Sequence, residues 1–528
     1  MNFTAATAAE TTLLIRTAHQ RPITTTALLL LACLFAFKTA HALKGGRSVK
    51  IPVVGIEYGG QENRRKRFMN GEAWNMYLDG YKKFKEQAYQ ITTAIKSKNI
   101  VVNPKYMNEL QKLPDDVLSV SKAVEEAMHA KYTGILTDGS VLEYTIKTAL
   151  TPSLARINPV IFAEVSSAVR SQFPQSGGAW SEVNIMEKVM RTVAIVSGRI
   201  FIGPELCHDE AYLNVSINYT IDLMAAIQAV AAIPPYLRPF LAARRPEVKK
   251  VQHRIAEADE FLKPVIEARR KRATENPDYQ KPDDMLQWMM DLQHKYGQKK
   301  DKELARYQLA VSAAAIHTTT AMITNALYTL AAIPEFVSVL REDVQEALAK
   351  SNGVFTSSAM QNMKKMDSFL KECLRCYCTQ PTAFQRKVLK DFSLSNGQVI
   401  PAGAFIEVPS VGVYKDEEFF LDADKFDPLR FYKLRENKRE EKTGSKQAEV
   451  VANSQFVSVS QSSLEFGYGR HACPGRFFAV NEIKMIMATL LATYDLKNVG
   501  GSKGRYPNIV TGPTRFPDPT RKILLKKI

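Results

Sequence analysis

Phe466-Gly467-Tyr468-Gly469-Arg470-His471-Ala472-Cys473-Pro474-Gly475-Arg476-Phe477-Phe478-Ala479 is the stretch on which the reading of this chain turns. It is a glycine-punctuated loop that delivers a cysteine to the start of an apolar helix, expected to run to about Tyr494. A helix N-terminus presents unpaired N–H groups and the positive end of the dipole, which favour a thiolate at Cys473 and donate to its sulfur. Gly469 and Gly475 let the backbone approach a flat ligand closely, and Phe466 can shield the sulfur. Taken alone, Cys473 reads more readily as a buried structural cysteine, so its neighbours in sequence carry the decision.

Upstream, Leu304 to Ile333 is apolar almost all round, the mark of a buried helix, and Pro334 ends it. His317, Thr318, Thr319 and Thr320 cut a polar notch into that helix, although helical threonines also back-bond to carbonyls four residues earlier. Ser368 to Tyr377 reads as a helix with Glu372 and Arg375 three apart on one face. Helical periodicity marks 67–95 and 209–232, and Asn396-Gly397 between Val388–Leu394 and Val399–Val408 signals a hairpin. Residues 233–241 read as a proline-rich apolar loop, either a buried turn or a segment dipping into a membrane surface. Residues 433–463 read as an irregular loop.

Together these segments resemble the cytochrome P450 superfamily. The Cys473 loop is similar to its haem signature, Phe-x-x-Gly-x-Arg-x-Cys-x-Gly, with His471 in place of the arginine. Glu372-Cys373-Leu374-Arg375 matches Glu-x-x-Arg, and Phe426-Asp427-Pro428-Leu429-Arg430-Phe431 resembles the segment whose arginine locks that pair. Ala314-Ala315-Ile316-His317-Thr318-Thr319 resembles the oxygen-activation motif, with Ala315 for a glycine and His317 for an acid. The wording of these segments is similar to fungal secondary-metabolite members related to ent-kaurene oxidase and indole-diterpene oxygenases.

The resemblance implies a mainly α fold with a long central helix, a minor β-region and an N-terminal membrane anchor helix. It implies haem b with Cys473 as axial iron ligand, and Phe466, Gly469, His471, Gly475, Arg386 and Lys147 as further haem-binding residues. Thr318 would position dioxygen and the water that delivers its proton, while His317 either relays protons or faces a helix carbonyl or the haem edge. Glu372, Arg375 and Arg430 become a buried structural triad. Substrate contacts are expected from Leu118–Leu142, Ala315 and Pro381–Phe384. NADPH would supply electrons through a membrane-bound cytochrome reductase, with cytochrome b5 as a possible second donor.

Composition sets the bounds. The chain has 528 residues, and its 45% hydrophobic content is too high for disorder. The net charge of +17 first suggests nucleic acid, but the basic residues cluster only modestly at 244–250, 269–272 and 435–446, without a nucleic-acid motif. An anionic membrane and an acidic electron donor account for the same charge, so no nucleic-acid partner is expected. Six cysteines make no disulfide framework, and Cys373, Cys376 and Cys378 lack a second pair at zinc spacing.

Ile23 to Phe37 is an uncharged stretch readable as a secretory signal or as an uncleaved anchor. The low cysteine count and the long segment ahead of it favour an anchor over about 23–42, with the N-terminal segment taken as 1–43. A proline-containing hinge is expected at 44–66 and a catalytic domain at 67–528, facing the cytosol from the endoplasmic reticulum. The expected activity is oxidation of a bulky apolar metabolite. Desaturation or ring formation, a polyketide or alkaloid substrate, and a non-enzymatic basic membrane-attached binding protein stand as alternatives.

Overall fold

A computed structural model describes residues 50–292, 302–436 and 445–528, apart from Lys96 and Ser176. The expected anchor at 23–42 lies outside these residues. Among the described residues no helix is long and apolar enough to cross a membrane. Contacts group 52–392 and 400–528 into one compact unit that holds the whole site. In the other unit the Asn396-Gly397 turn forms as expected: Gly397 takes a φ of 82°, and its N–H donates to Leu394 O at 2.9 Å.

The compact unit is mainly helical. Its axis is the central helix Lys302–Ala332, in which every residue from Thr319 to Ala331 is buried. That burial follows from a sequence without a polar face. Helices Ile185–Phe201 and Glu210–Ala231 pack along it, and helix Arg476–Thr493 crosses it from the cysteine side. The expected helix at 209–232 is present, with the Asp209 side chain accepting the Tyr212 N–H at 2.8 Å as its cap.

The β-structure is minor. A five-stranded sheet contains Ala383–Val388, antiparallel to Phe405–Val408, which itself runs parallel to Asn99–Val101. A second sheet has Lys522–Lys527 as its middle strand, between Trp180–Asn184 and Tyr494–Asn498.

Two local expectations change. The 67–95 segment is not one helix: Gly71 at φ 94° breaks the start, helix Ala73–Lys83 follows, and Tyr89–Ile91 is a strand. The 433–463 segment contains helix Ser445–Asn453. The hinge is pinned from Pro52, whose carbonyl accepts the Gln90 N–H at 2.7 Å while Val54 N–H donates back at 2.9 Å. At 233–241, Tyr236 and Phe240 stand 74% and 67% exposed, so this loop is not a buried turn.

Candidate functional site

Two helices face each other across a cavity of about 300 Å³. One wall is the notch of the central helix, where Ala314, Ala315, Thr318 and Thr319 line the space. Ala314 and Thr318 are exposed although they sit within a core helix, and that exposure is to the cavity. The Thr318 hydroxyl donates to Ala314 O at 2.7 Å, which leaves its oxygen lone pairs as acceptors.

The other wall is the cysteine loop. Its Cys473 N–H donates to Phe466 O at 2.7 Å, folding the loop so that Phe466, Cys473 and Gly475 all line the cavity. Gly469 needs its glycine, because it sits at φ 68° with its missing Cβ directed within 2.8 Å of Gln111 Oε1. Gly475 does not need a positive φ; a Cβ there would meet no protein atom within 4 Å, so the glycine keeps one face of the cavity open. Burial pushes the Cys473 thiol up, opposed by the Gly475 N–H and by the charge and N–H of Arg476. The helix-end effect anticipated from sequence is present but smaller than desolvation. A thiolate here calls for a bound cation.

The structure brings Glu372, Arg375 and Arg430 together. Arg375 holds Glu372 with two hydrogen bonds of 2.7 and 2.8 Å, and Arg430 Nε donates to Glu372 Oε1 at 3.0 Å. The remaining guanidinium donors hold backbone: Arg375 reaches Tyr414 O and Ala423 O, and Arg430 reaches Leu421 O and Lys425 O. The Asp427 N–H donates to the same Glu372 Oε1, so the loop carrying Arg430 is tied at two points.

Arg386 and His471 share one narrow cleft with Leu118, Phe384 and Tyr468. Arg386 is buried and donates only to Gln385 O, and burial pulls its guanidinium down to about 10. Among the described residues it has no salt bridge. His471 is held by Asp115, which it meets at 3.0 Å and which also takes Arg470 at 2.7 Å.

Of the expected site residues, Arg386 and His471 line that separate cleft, Gly469 lines neither space, and two more lie further off. Lys147 pairs with Glu143 on an exposed helix face and does not line the cavity, although its neighbours Ile146 and Leu150 do. His317 Nε2 sits 2.9 Å from Ile217 O in the Glu210–Ala231 helix, so it links two helices instead of facing the cavity. Burial lowers its pKa, which keeps the imidazole neutral.

Sequence reasoning missed two carboxyls on the cavity wall, Glu465 and Glu482. Burial pushes each up to about 8, opposed by a hydrogen bond from Tyr414 to Glu465 and from Ser197 to Glu482. Glu482 was legible: Gly475, Phe478, Ala479, Glu482 and Ile483 recur at helical spacing, and only Glu482 is charged. Its Oε2 has no hydrogen-bond partner. A carboxyl whose folded pKa is raised contributes fully below its unfolded value of about 4.3, and that contribution is lost as pH rises. Glu482→Gln is therefore expected to gain stability over the native chain between about pH 4.5 and 8, at about 1.4 kcal/mol per unit of displacement. Melting curves across that range would check it; parallel curves would show an ionised Glu482 at neutral pH.

These features suit a haem. The cavity is lined by both a thiol and a hydroxyl, Gly475 leaves an open face, and Arg386 is a buried cation that makes no salt bridge among the described residues, suited to a propionate. Cys473 would hold the iron; Arg386 lines the separate cleft with His471 and not the cavity itself.

The sequence comparisons agree. The family model for cytochrome P450 matches residues 81–516. Cytochrome P450 monooxygenase ATR3 of Stachybotrys chlorohalonatus is 40% identical over 432 residues, 82% of this chain and 89% of that protein. Cytochrome P450 monooxygenase penP of Penicillium crustosum is 35% identical over 91% of this chain and 90% of its own length. The paxP monooxygenase of Penicillium paxilli is 33% identical over 91% of each. With a family match across most of its length and relatives of this kind, the chain belongs to the cytochrome P450 family and is a cytochrome P450 monooxygenase.

Proposed function

We propose that the chain oxidises a bulky apolar secondary metabolite, a terpenoid or indole-diterpenoid, by hydroxylation or successive oxidation, with NADPH and O2. The observation that carries this reading is the apolar lining of the cavity, Val311, Met322, Phe456 and Phe478, around the same space that Cys473 and Thr318 line. Its fungal relatives support the setting.

Haem iron on Cys473 supplies oxygen activation, with electrons from NADPH through a reductase. The protein's own residues do the rest. Apolar side chains orient the substrate and exclude bulk water. The Thr318 hydroxyl, fixed by Ala314 O, accepts a hydrogen bond from a water and holds the proton needed on that side. Thr318→Ala is expected to raise peroxide released per product severalfold with the haem spectrum intact; unchanged coupling would remove Thr318 from the proton route.

Co-expression with a reductase, in a host fed terpenoids, cyclic polyketides and alkaloids, tests the substrate class by mass spectrometry. One added oxygen on a terpenoid supports the reading. Oxidation confined to another class overturns the substrate, and loss of two hydrogens without oxygen selects desaturation.

For location, the same proposal places the protein on the endoplasmic reticulum membrane, catalytic domain towards the cytosol. The support is the exposed Tyr236 and Phe240 with Arg244 and Arg245 close behind, an apolar tip with a basic base. Tyr236→Glu with Phe240→Glu should weaken binding of a chain lacking 1–43 to anionic vesicles; equal binding would refute a role for this loop.

A further inference from the structure

Away from the cavity, Glu164, Cys207 and His208 place one carboxylate oxygen, one sulfur and one imidazole nitrogen within 4.8 Å of one another. Glu164 is carried by helix Thr151–Gln172, and the other two by the turn that leads into helix Glu210–Ala231. Cys207 is buried and His208 exposed. An ion pair beside an inert thiol is the plain account of such a group. The geometry allows more than that: His208 Nε2 lies 2.8 Å from Glu164 Oε1 with no N–H aligned on that oxygen, so the contact is electrostatic and free to open around an ion. The Cys207 sulfur has only a long contact, 3.9 Å to Pro204 O. Glu205, also in this turn, is engaged by Arg269.

We propose that Glu164, Cys207 and His208 form a zinc site, completed by a water, that fastens helix Thr151–Gln172 to the turn entering helix Glu210–Ala231. A sulfur, nitrogen and oxygen set suits a borderline-soft ion of tetrahedral habit. Metal–ligand lengths of about 2.0–2.3 Å put tetrahedral ligands roughly 3.3–3.7 Å apart, so side-chain adjustment alone brings this group to geometry. On binding, the Cys207 thiol releases its proton to solvent as the Zn–S bond forms, with no change of oxidation state.

The test uses the untagged, haem-loaded full chain, stripped with a chelator and titrated with Zn²⁺ against a chromophoric competitor. One zinc per chain should survive gel filtration and raise the melting temperature. His208→Ala lies at the surface and spares the core, and its carbon-monoxide spectrum reports whether the haem fold is intact. It should weaken zinc at least about 100-fold, beyond the ~10–100-fold usual for an outer-sphere change. Cys207→Ala should do the same and Glu164→Gln should weaken binding measurably. Native chain retaining no more zinc than His208→Ala, or full affinity in Glu164→Gln, would overturn the three-ligand site.

Discussion

Cys473→Ser is expected to give protein without the red-shifted carbon-monoxide band of a thiolate haem, and with product formation at background. Serine preserves the size of the side chain and the loop's Phe466 carbonyl contact, which is made by the backbone of residue 473. What it removes is the soft sulfur. Burial already works against charge at this position, and only the Gly475 and Arg476 N–H groups and the Arg476 charge oppose it. A hydroxyl, far less acidic than a thiol, stays neutral there and makes a poor iron ligand. The expected protein is folded, because the loop is held by its backbone, but binds haem weakly and melts earlier for want of the bound group. A native chain that lacks the thiolate band would sink the assignment of Cys473, and a serine variant that keeps it would do the same.

The second large effect is expected at Glu372. Its carboxylate is fully buried and accepts from Arg375, Arg430 and the Asp427 N–H. Glu372→Ala leaves two guanidinium groups facing each other in the interior, and breaking such a pair costs about 3–5 kcal/mol. Against a typical total of about 5–15 kcal/mol, that removes much of the folded population. Urea unfolding of the haem-loaded chain, with yield of thiolate haem as a second readout, measures it. Arg430→Ala should cost less, because the Arg375–Glu372 pair survives and Arg430 is partly exposed. A cost below about 1 kcal/mol for Glu372→Ala would place the group with solvated surface pairs instead.

How much of this was readable from sequence depended on the range of the interaction. The cysteine loop and Glu372–Arg375 are local patterns, set by spacing along one loop or one helix face, and both form as read. The central helix was legible because its apolar residues run almost all round it, interrupted by the His317–Thr320 notch. Lys147 was misplaced because position alone was carried over, and a neighbouring Glu143 four residues earlier already offered it a partner. The partner of His317 is a backbone carbonyl a hundred residues away, which no periodicity reveals. The 433–463 stretch shows the reverse error: its polar composition hid a nine-residue helix, Ser445–Asn453, too short for its few apolar residues to mark a period.

The middle strand Lys522–Lys527 has a consequence for how the chain is made. Trp180–Asn184 reaches the sheet only through that strand, pairing Val183 with Ile523 and Glu182 with Leu524. During synthesis this edge leaves the ribosome roughly 340 residues ahead of its partner, a wait of roughly 17–70 s at about 5–20 residues per second. For that time its backbone donors are open to any passing strand. Expression at lower temperature slows translation and weakens hydrophobic association together, so yield should follow chaperone supply during this interval more closely than it follows the stability of the finished enzyme.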